Sequence, residues 1–144
     1  MHQNNIKITI GIPTYVGGPS LVKTVGSLLQ SDYRNFRLIV SVDGKKLAPE
    51  IKTAITQDPR VEVIENEVRR GQVGGIRQII SLVSSELILL TQDDVLYDRT
   101  AVGKIVQVFD KHPEATMVAA EGVPLPAVTF FERIVHAGFA VARR

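Results

Sequence analysis

Cysteine and tryptophan are both missing from this 144-residue sequence. Without cysteine there are no disulfides and no thiolate metal sites. That fits a reducing compartment, and the expected location is the cytoplasm or the inner face of a membrane. Aromatic residues make up only 6%, and no run of basic residues is longer than two. Seventeen Lys and Arg against fifteen Asp and Glu leave a net charge of +2. A base-stacking platform on a basic groove is therefore excluded, and no nucleic-acid partner is expected. No stretch approaches the ~20 apolar residues that cross a bilayer. The opening MHQNNIK has no basic-then-apolar leader pattern.

Hydrophobic residues are plentiful, at 44%, with 22% charged. This is the balance of a globular domain, and the length suits one core. The periodicity alternates between two kinds. Ile6, Ile8, Ile10 and Ile12 alternate with Lys7, Thr9 and Gly11, which predicts a strand. Pro19 opens a helix striped by Leu21, Val25, Leu28 and Leu29. Residues 37–42 form a second strand, stopped by Asp43 and Gly44. Pro49 opens a second helix carrying Ile51, Ala54 and Ile55. Residues 61–64 are a third strand, followed by a polar, glycine-rich loop over 65–75. Ile76, Ile79, Ile80 and Val83 mark a third helix. The run 87–91 is almost wholly apolar, as in a central parallel strand covered on both faces. Val102, Ile105, Val106 and Phe109 define a fourth helix, and residues 117–120 a fifth strand. Val128, Phe131, Ile134, Val135 and Phe139 suggest a last helix.

Strict alternation of strand and helix predicts a three-layer α/β/α domain over residues 1–144 with a mostly parallel, Rossmann-like sheet. Ligands of such open sheets bind beyond the carboxyl ends of the strands. Three polar groups fall there: Pro13-Thr14-Tyr15, Asp43-Gly44 and Gln92-Asp93-Asp94. Adjacent carboxylates repel by ~4 kcal/mol at ~4 Å and an effective dielectric near 20. A divalent cation removes that cost, and Mg2+ or Mn2+ takes carboxylates together with substrate phosphates. Helix capping explains the pair poorly, because Asp98 and Thr100 already offer caps to the next helix. Asp43 is placed to accept hydrogen bonds from a base or ribose, although an Asp-Gly turn alone accounts for it. Thr14 offers a hydrogen bond to a base, and Tyr15 a surface to pack on. The loop around Arg69, Arg70, Gly71 and Arg77 combines glycines with cations before a helix start, which favours anions. Neither GxGxxG nor a Walker sequence is present, which disfavours dehydrogenases and P-loop enzymes.

Together these segments resemble the family 2 glycosyltransferases of GT-A fold. Ile12-Pro13-Thr14-Tyr15 is similar to that family's first strand and nucleotide loop. The stretch ending in Val42-Asp43-Gly44 is similar to its second, whose Asp bonds the base, usually uracil. Residues 66–77 resemble its Asn, Gly-rich turn and Arg-bearing helix start. Thr91-Gln92-Asp93-Asp94 stands where the family has its DxD motif. The resemblance implies donor contacts from Pro13, Thr14, Tyr15, Asp43, Gly44, Gly71, Arg77, Gln92 and Asp93. It makes Asp94 the ligand of Mn2+ or Mg2+. In an extended chain residues 92 and 94 share a face, which singles out Asp94 over Asp93.

The implied reaction moves a sugar from a nucleotide-diphosphate donor, a UDP-sugar, to the hydroxyl of a saccharide, lipid or protein acceptor, with inversion. Four positions depart from the pattern. Gln92 replaces the first Asp of DxD, Val16 replaces an Asn, and Lys45-Lys46 replace a Ser and an acid. A downstream carboxylate base has no match, since Glu121 and Glu132 sit in no base motif. The expectation is thus the donor-binding portion of a longer catalytic domain. A non-catalytic sugar-nucleotide-binding or assembly module is the alternative. A nucleotidyltransferase ranks third, because residues 13–18 carry no basic side chain. The segment 130–144 is a candidate for docking on a membrane or on further downstream structure.

Overall fold

A computed structural model describes residues 6–129 and 131–133. Four parallel strands form its sheet: β1 (Ile8–Thr14), β2 (Phe36–Val42), β3 (Val61–Glu65) and β4 (Leu87–Leu90). Their spatial order is β3-β2-β1-β4. Helices α1 (Pro19–Leu29), α2 (Pro49–Ile55), α3 (Gly71–Ser81) and α4 (Ala101–Lys111) connect or follow them. Pro19 and Pro49 each stand in the first turn of their helix, where the missing N–H costs nothing.

Period-two alternation in β1 sends Ile8, Ile10 and Ile12 to one face of the sheet. They meet Leu38, Val40 and Val42 of β2, Leu21, Val25 and Leu28 of α1, and Val102 and Val106 of α4 in one buried cluster. The other face presents Gly11 and Ser41. Only α3 packs there among the described residues, through Ile79 and Gly75. A Cβ on Gly11 would stand 2.5 Å from the Ile79 side chain, so the glycine sets how closely α3 seats. The layers are those expected, with α3 on one side and the other three helices opposite.

Three expectations need correction. The apolar run 87–90 is an edge strand, not a central one. Leu87 and Leu89 reach the core, but Ile88 and Leu90 are 39% and 40% exposed. An apolar run shows that both faces tolerate burial; it does not supply what covers them. Residues 117–120 form no strand, and Met117 is 86% exposed. A strand exists only through its ladder, and no strand pairs with the free edge of β4 among the described residues. Helix α3 begins at Gly71, inside the stretch read as loop. The last helix is described only at 131–133; Val128 precedes it and is 84% exposed, while Ile134, Val135 and Phe139 lie outside the described residues.

Candidate strand-end active site

The first polar group at the strand ends is knitted by hydrogen bonds. The backbone N–H of Asp43 donates to the carbonyl of Thr14 at 2.8 Å, locking the end of β2 to the end of β1. Thr14 is 4% exposed, and its hydroxyl donates to the Asp93 carboxylate while accepting from the Gly17 N–H at 3.1 Å. One buried threonine thus joins the β1 loop to the turn after β4.

Asp43 is also nearly buried. Its Oδ1 accepts the Arg70 N–H at 2.5 Å and its Oδ2 the Gly71 N–H at 3.0 Å. These are orphan donors at the start of α3, and a carboxylate there also meets the positive end of the helix dipole. Asp43 therefore caps α3 across the sheet, a role more specific than a local turn. Gly44 has φ +72, and a Cβ on it would lie 3.0 Å from the Arg69 Cα. The loop before α3 therefore passes directly over the Asp-Gly turn, which only glycine permits without strain.

Behind this cap runs a polar network. Ser41 donates to Gln78 Oε1 at 2.7 Å, and Asn66 donates to the same oxygen at 2.9 Å. Gln78 returns a bond to Asn66 Oδ1 at 2.8 Å, and Asn66 also donates to the Val42 carbonyl. The network ties β2, the end of β3 and α3 together. Gly75 lets α3 approach: its Cβ would stand 3.2 Å from Pro13 and 3.4 Å from Ser41 Oγ.

These elements enclose a pocket of about 440 Å³. Pro13, Thr14 and Tyr15 line one wall, Ser41 and Asp43 the floor, and Gln92 and Asp93 another wall. Arg69, Gly71 and Gln72 complete it from the α3 side. Arg69 Nε lies 3.7 Å from Asp43 Oδ2. Tyr15 is half exposed, and two cations stand over its ring: Arg69 Cζ at 4.4 Å and Lys45 Nζ at 4.9 Å from the centroid. The mouth is therefore cationic, whereas the deeper walls carry carboxylates.

A larger groove of about 690 Å³ lies on the flank of α3, lined by Glu62, Arg70, Arg77 and Gln78 among others. It is wider but holds none of the strand-end carboxylates, so size does not make it the active site. Arg77 belongs to this groove and does not line the strand-end pocket.

The alternation assumed for residues 92 and 94 also fails. The strand ends at Leu90 and the chain turns at 93–94, so the two-residue period no longer applies. Consecutive Gln92 and Asp93 both face the pocket, while Asp94 is exposed beyond its lining. No three His, Cys, Asp or Glu side chains converge among the described residues. With no all-protein cage among the described residues, a hard cation here would draw most of its oxygens from a ligand and water, as Mg2+ does.

Sequence reasoning missed Ser41, Gln72 and Gly75 as pocket residues. Ser41 is legible as the lone hydroxyl of β2, whereas Gln72 and Gly75 are hidden by a glycine-rich stretch that does not mark the start of α3. His112 pairs with Glu114 at 3.2 Å, away from the pocket. Glu132 closes a reciprocal cap: its carboxylate accepts the Thr129 N–H at 2.8 Å, and Thr129 Oγ1 accepts the Glu132 N–H at 3.2 Å. His136 lies outside the described residues.

A parallel sheet with helices on both faces, and a carboxylate-bearing pocket beyond its carboxyl ends, defines an α/β domain of the GT-A glycosyltransferase type. Residues 9–129 match Glycosyl transferase family 2, and the chain belongs to that family. An uncharacterized protein of Sinorhizobium fredii is 30% identical over 121 residues, which are 81% of this chain and 13% of that protein. A putative colanic acid biosynthesis glycosyl transferase of Escherichia coli, WcaA, is 29% identical over 64% of this chain and 34% of its own length. The chain thus spans about an eighth and a third of these two relatives. Among solved structures, S. aureus TarS superposes with TM-score 0.66 at 18% identity, over 83% of this chain and 23% of TarS. A shorter TarS structure holds UDP, with TM-score 0.66 at 18% identity over 83% of this chain and 38% of that one. A mannosyltransferase from Pyrobaculum calidifontis, in complex with GDP-Man and Mn2+, gives 0.65 at 17% identity over 74% of this chain and 33% of that one. No described helix is long and apolar enough to cross a membrane.

Proposed function

We propose that this chain is the donor-binding portion of a glycosyltransferase that moves a sugar from a nucleotide-diphosphate sugar, a UDP-sugar, to an acceptor hydroxyl. The observation that carries this reading is the shared pocket. Thr14, Asp43 and Asp93 come from three different segments and line one pocket. In this reading the nucleoside enters over Pro13, Thr14 and Tyr15, where Asp43 offers its carboxylate to the base. Gly71 and Gln72 bring the start of α3 to the same pocket. Gln92 bonds the sugar or a coordinated water, and Asp93, oriented by Thr14, contacts the donor. Asp94 is the residue assigned to hold Mn2+ or Mg2+. Such a cation would offset charge building on the departing diphosphate.

The acceptor hydroxyl needs a base to take its proton. Neither described late glutamate is arranged for that work: Glu121 is exposed, and Glu132 is engaged in its own cap. No base is assigned among the described residues. The same observation favours the second reading, a non-catalytic sugar-nucleotide-binding module. Donor hydrolysis or transfer by the isolated chain would eliminate that second reading.

Calorimetry tests the donor site. UDP is expected to bind in Mn2+ or Mg2+, and to lose affinity in EDTA and in Asp94→Ala. Equal affinity with and without EDTA would reject the metal assignment. Asp43→Ala is expected to weaken UDP and uridine alike; unchanged uridine binding would remove the base contact.

A further inference from the structure

Strand β3 is an outer strand, paired only with β2 among the described residues. Its even positions turn their backbone inward: the Leu38 N–H donates to the Arg60 carbonyl, and the Asn66 N–H to the Val42 carbonyl. Alternation therefore turns the N–H and C=O groups of Val63 and Glu65 outward, where they meet no backbone partner among the described residues. The side chains of Glu62 and Ile64 face the other way from the core, into the groove of about 690 Å³ that Arg70, Arg77 and Leu82 wall along α3. Neither arginine has a carboxylate within ion-pair reach among the described residues. Arg37 adds a third cation at the far end. Its guanidinium donates to the Leu82 carbonyl at 2.6 Å, and its buried Nε has no partner among the described residues. Three cations against the single carboxylate of Glu62 leave the groove in need of anions.

We infer that this groove docks an acidic, extended segment of a partner protein, which adds to the outer edge of β3 as a further strand. The outward groups of Val63 and Glu65 supply main-chain bonds, and the arginines read acidic side chains at alternate positions of the added strand. Seven residues of helix separate Arg70 from Arg77, about 10 Å. Alternate side chains of a strand stand about 7 Å apart, a difference that two long guanidinium arms absorb. The occupant is not an end of this chain by charge: residues 1–5, 130 and 134–144 contain no Asp or Glu. The site is separate from the donor pocket, because the groove holds none of the strand-end carboxylates.

The test is fluorescence anisotropy on the full chain with labelled hexapeptides, one alternating Glu and Val, the other Lys and Val. It compares the wild type with Arg70→Gln, Arg77→Gln and the charge-reversed pair Arg70→Glu with Arg77→Glu, each checked for folding by circular dichroism. Each lost arginine is expected to weaken the Glu-Val peptide roughly tenfold, the scale of one charge-assisted hydrogen bond. The charge-reversed pair should lose that peptide and gain the Lys-Val one. Hydrogen exchange followed by NMR should slow at the Val63 and Glu65 amides when the Glu-Val peptide binds. Binding that leaves those amides unprotected would overturn strand addition, as would equal wild-type affinity for the two peptides. Polyphosphate binding as tightly as the peptide, with Val63 unprotected, would show a plain anion patch and overturn the partner class. Displacement of the peptide by UDP would return the arginines to the donor pocket and overturn the separate site. A wild type that binds neither peptide by about 1 mM would overturn the inference and leave the donor reading intact.

Discussion

Asp43 combines two jobs that a sequence shows as one letter. Its carboxylate faces the pocket, and the same oxygens hold the N–H groups of Arg70, just before α3, and of Gly71, its first residue. Asp43→Ala leaves those donors unpaired in a poorly hydrated place, and the expected cost is about 1–3 kcal/mol. Asp43→Asn keeps one acceptor and should recover part of it; urea unfolding of the two variants checks the order. This structural share also sharpens the ligand test. A fall in uridine affinity in Asp43→Ala reports a base contact only if Asp43→Asn, with α3 still capped, falls as well. Thr14 presents a similar case. Thr14→Val removes the bond to Asp93 at nearly constant volume, so UDP affinity should drop while stability moves by only ~1 kcal/mol.

Helix α3 is the element on which the site depends. It covers one face of β1 and β2, and its first turn lines the pocket. Its closeness to the sheet follows from Gly11 and Gly75, whose absent side chains leave room for Ile79 and Pro13. Gly75→Val is expected to force α3 away from Pro13 and Ser41, costing about 1–3 kcal/mol as overpacking does. It should also abolish UDP binding, read from one titration and one denaturant curve. The Ser41, Asn66 and Gln78 network pins the same helix from the rear. Because the three groups share partners, Asn66→Ala and Gln78→Ala should not add: the double variant is expected to be less destabilised than the sum of the single ones.

Over the whole molecule, charge and apolar surface set behaviour in solution. Glu65 ends β3, and the Lys52 ammonium beside it, with a bond from the Leu47 N–H, holds its carboxyl below the ordinary glutamate range. The unfolded chain therefore binds the Glu65 proton more readily than the folded one. Stability from this group is complete above the usual glutamate pKa and is lost as pH falls through the lowered folded value. Urea midpoints followed from about pH 6 down to about pH 3, through carboxylate titration, should fall less steeply in Glu65→Gln. Among the described residues the outer edge of β4 is unpaired and Ile88 and Leu90 are exposed, an apolar strand of the kind that pairs with other chains. Ile88→Lys should reduce concentration-dependent association in sedimentation without lowering the melting temperature.

Much of this was determined by the sequence alone, because local physics wrote it there. Alternating isoleucines marked β1, prolines marked the starts of α1 and α2, and the strand-helix order implied a parallel sheet with its polar residues at one end. The same signals put Thr14, Asp43 and Asp93 at one end of the sheet. What the tertiary structure decided was whatever depends on a partner distant in the chain. The apolar run 87–90 became an edge because burial needs a neighbour, and residues 117–120 stayed unpaired because a strand needs a ladder. Asp93 turned toward Thr14 because the chain leaves its strand at Leu90, where alternation stops. Lys45 and Arg69, 24 positions apart by their numbers, met on one tyrosine because Gly44 let two loops cross.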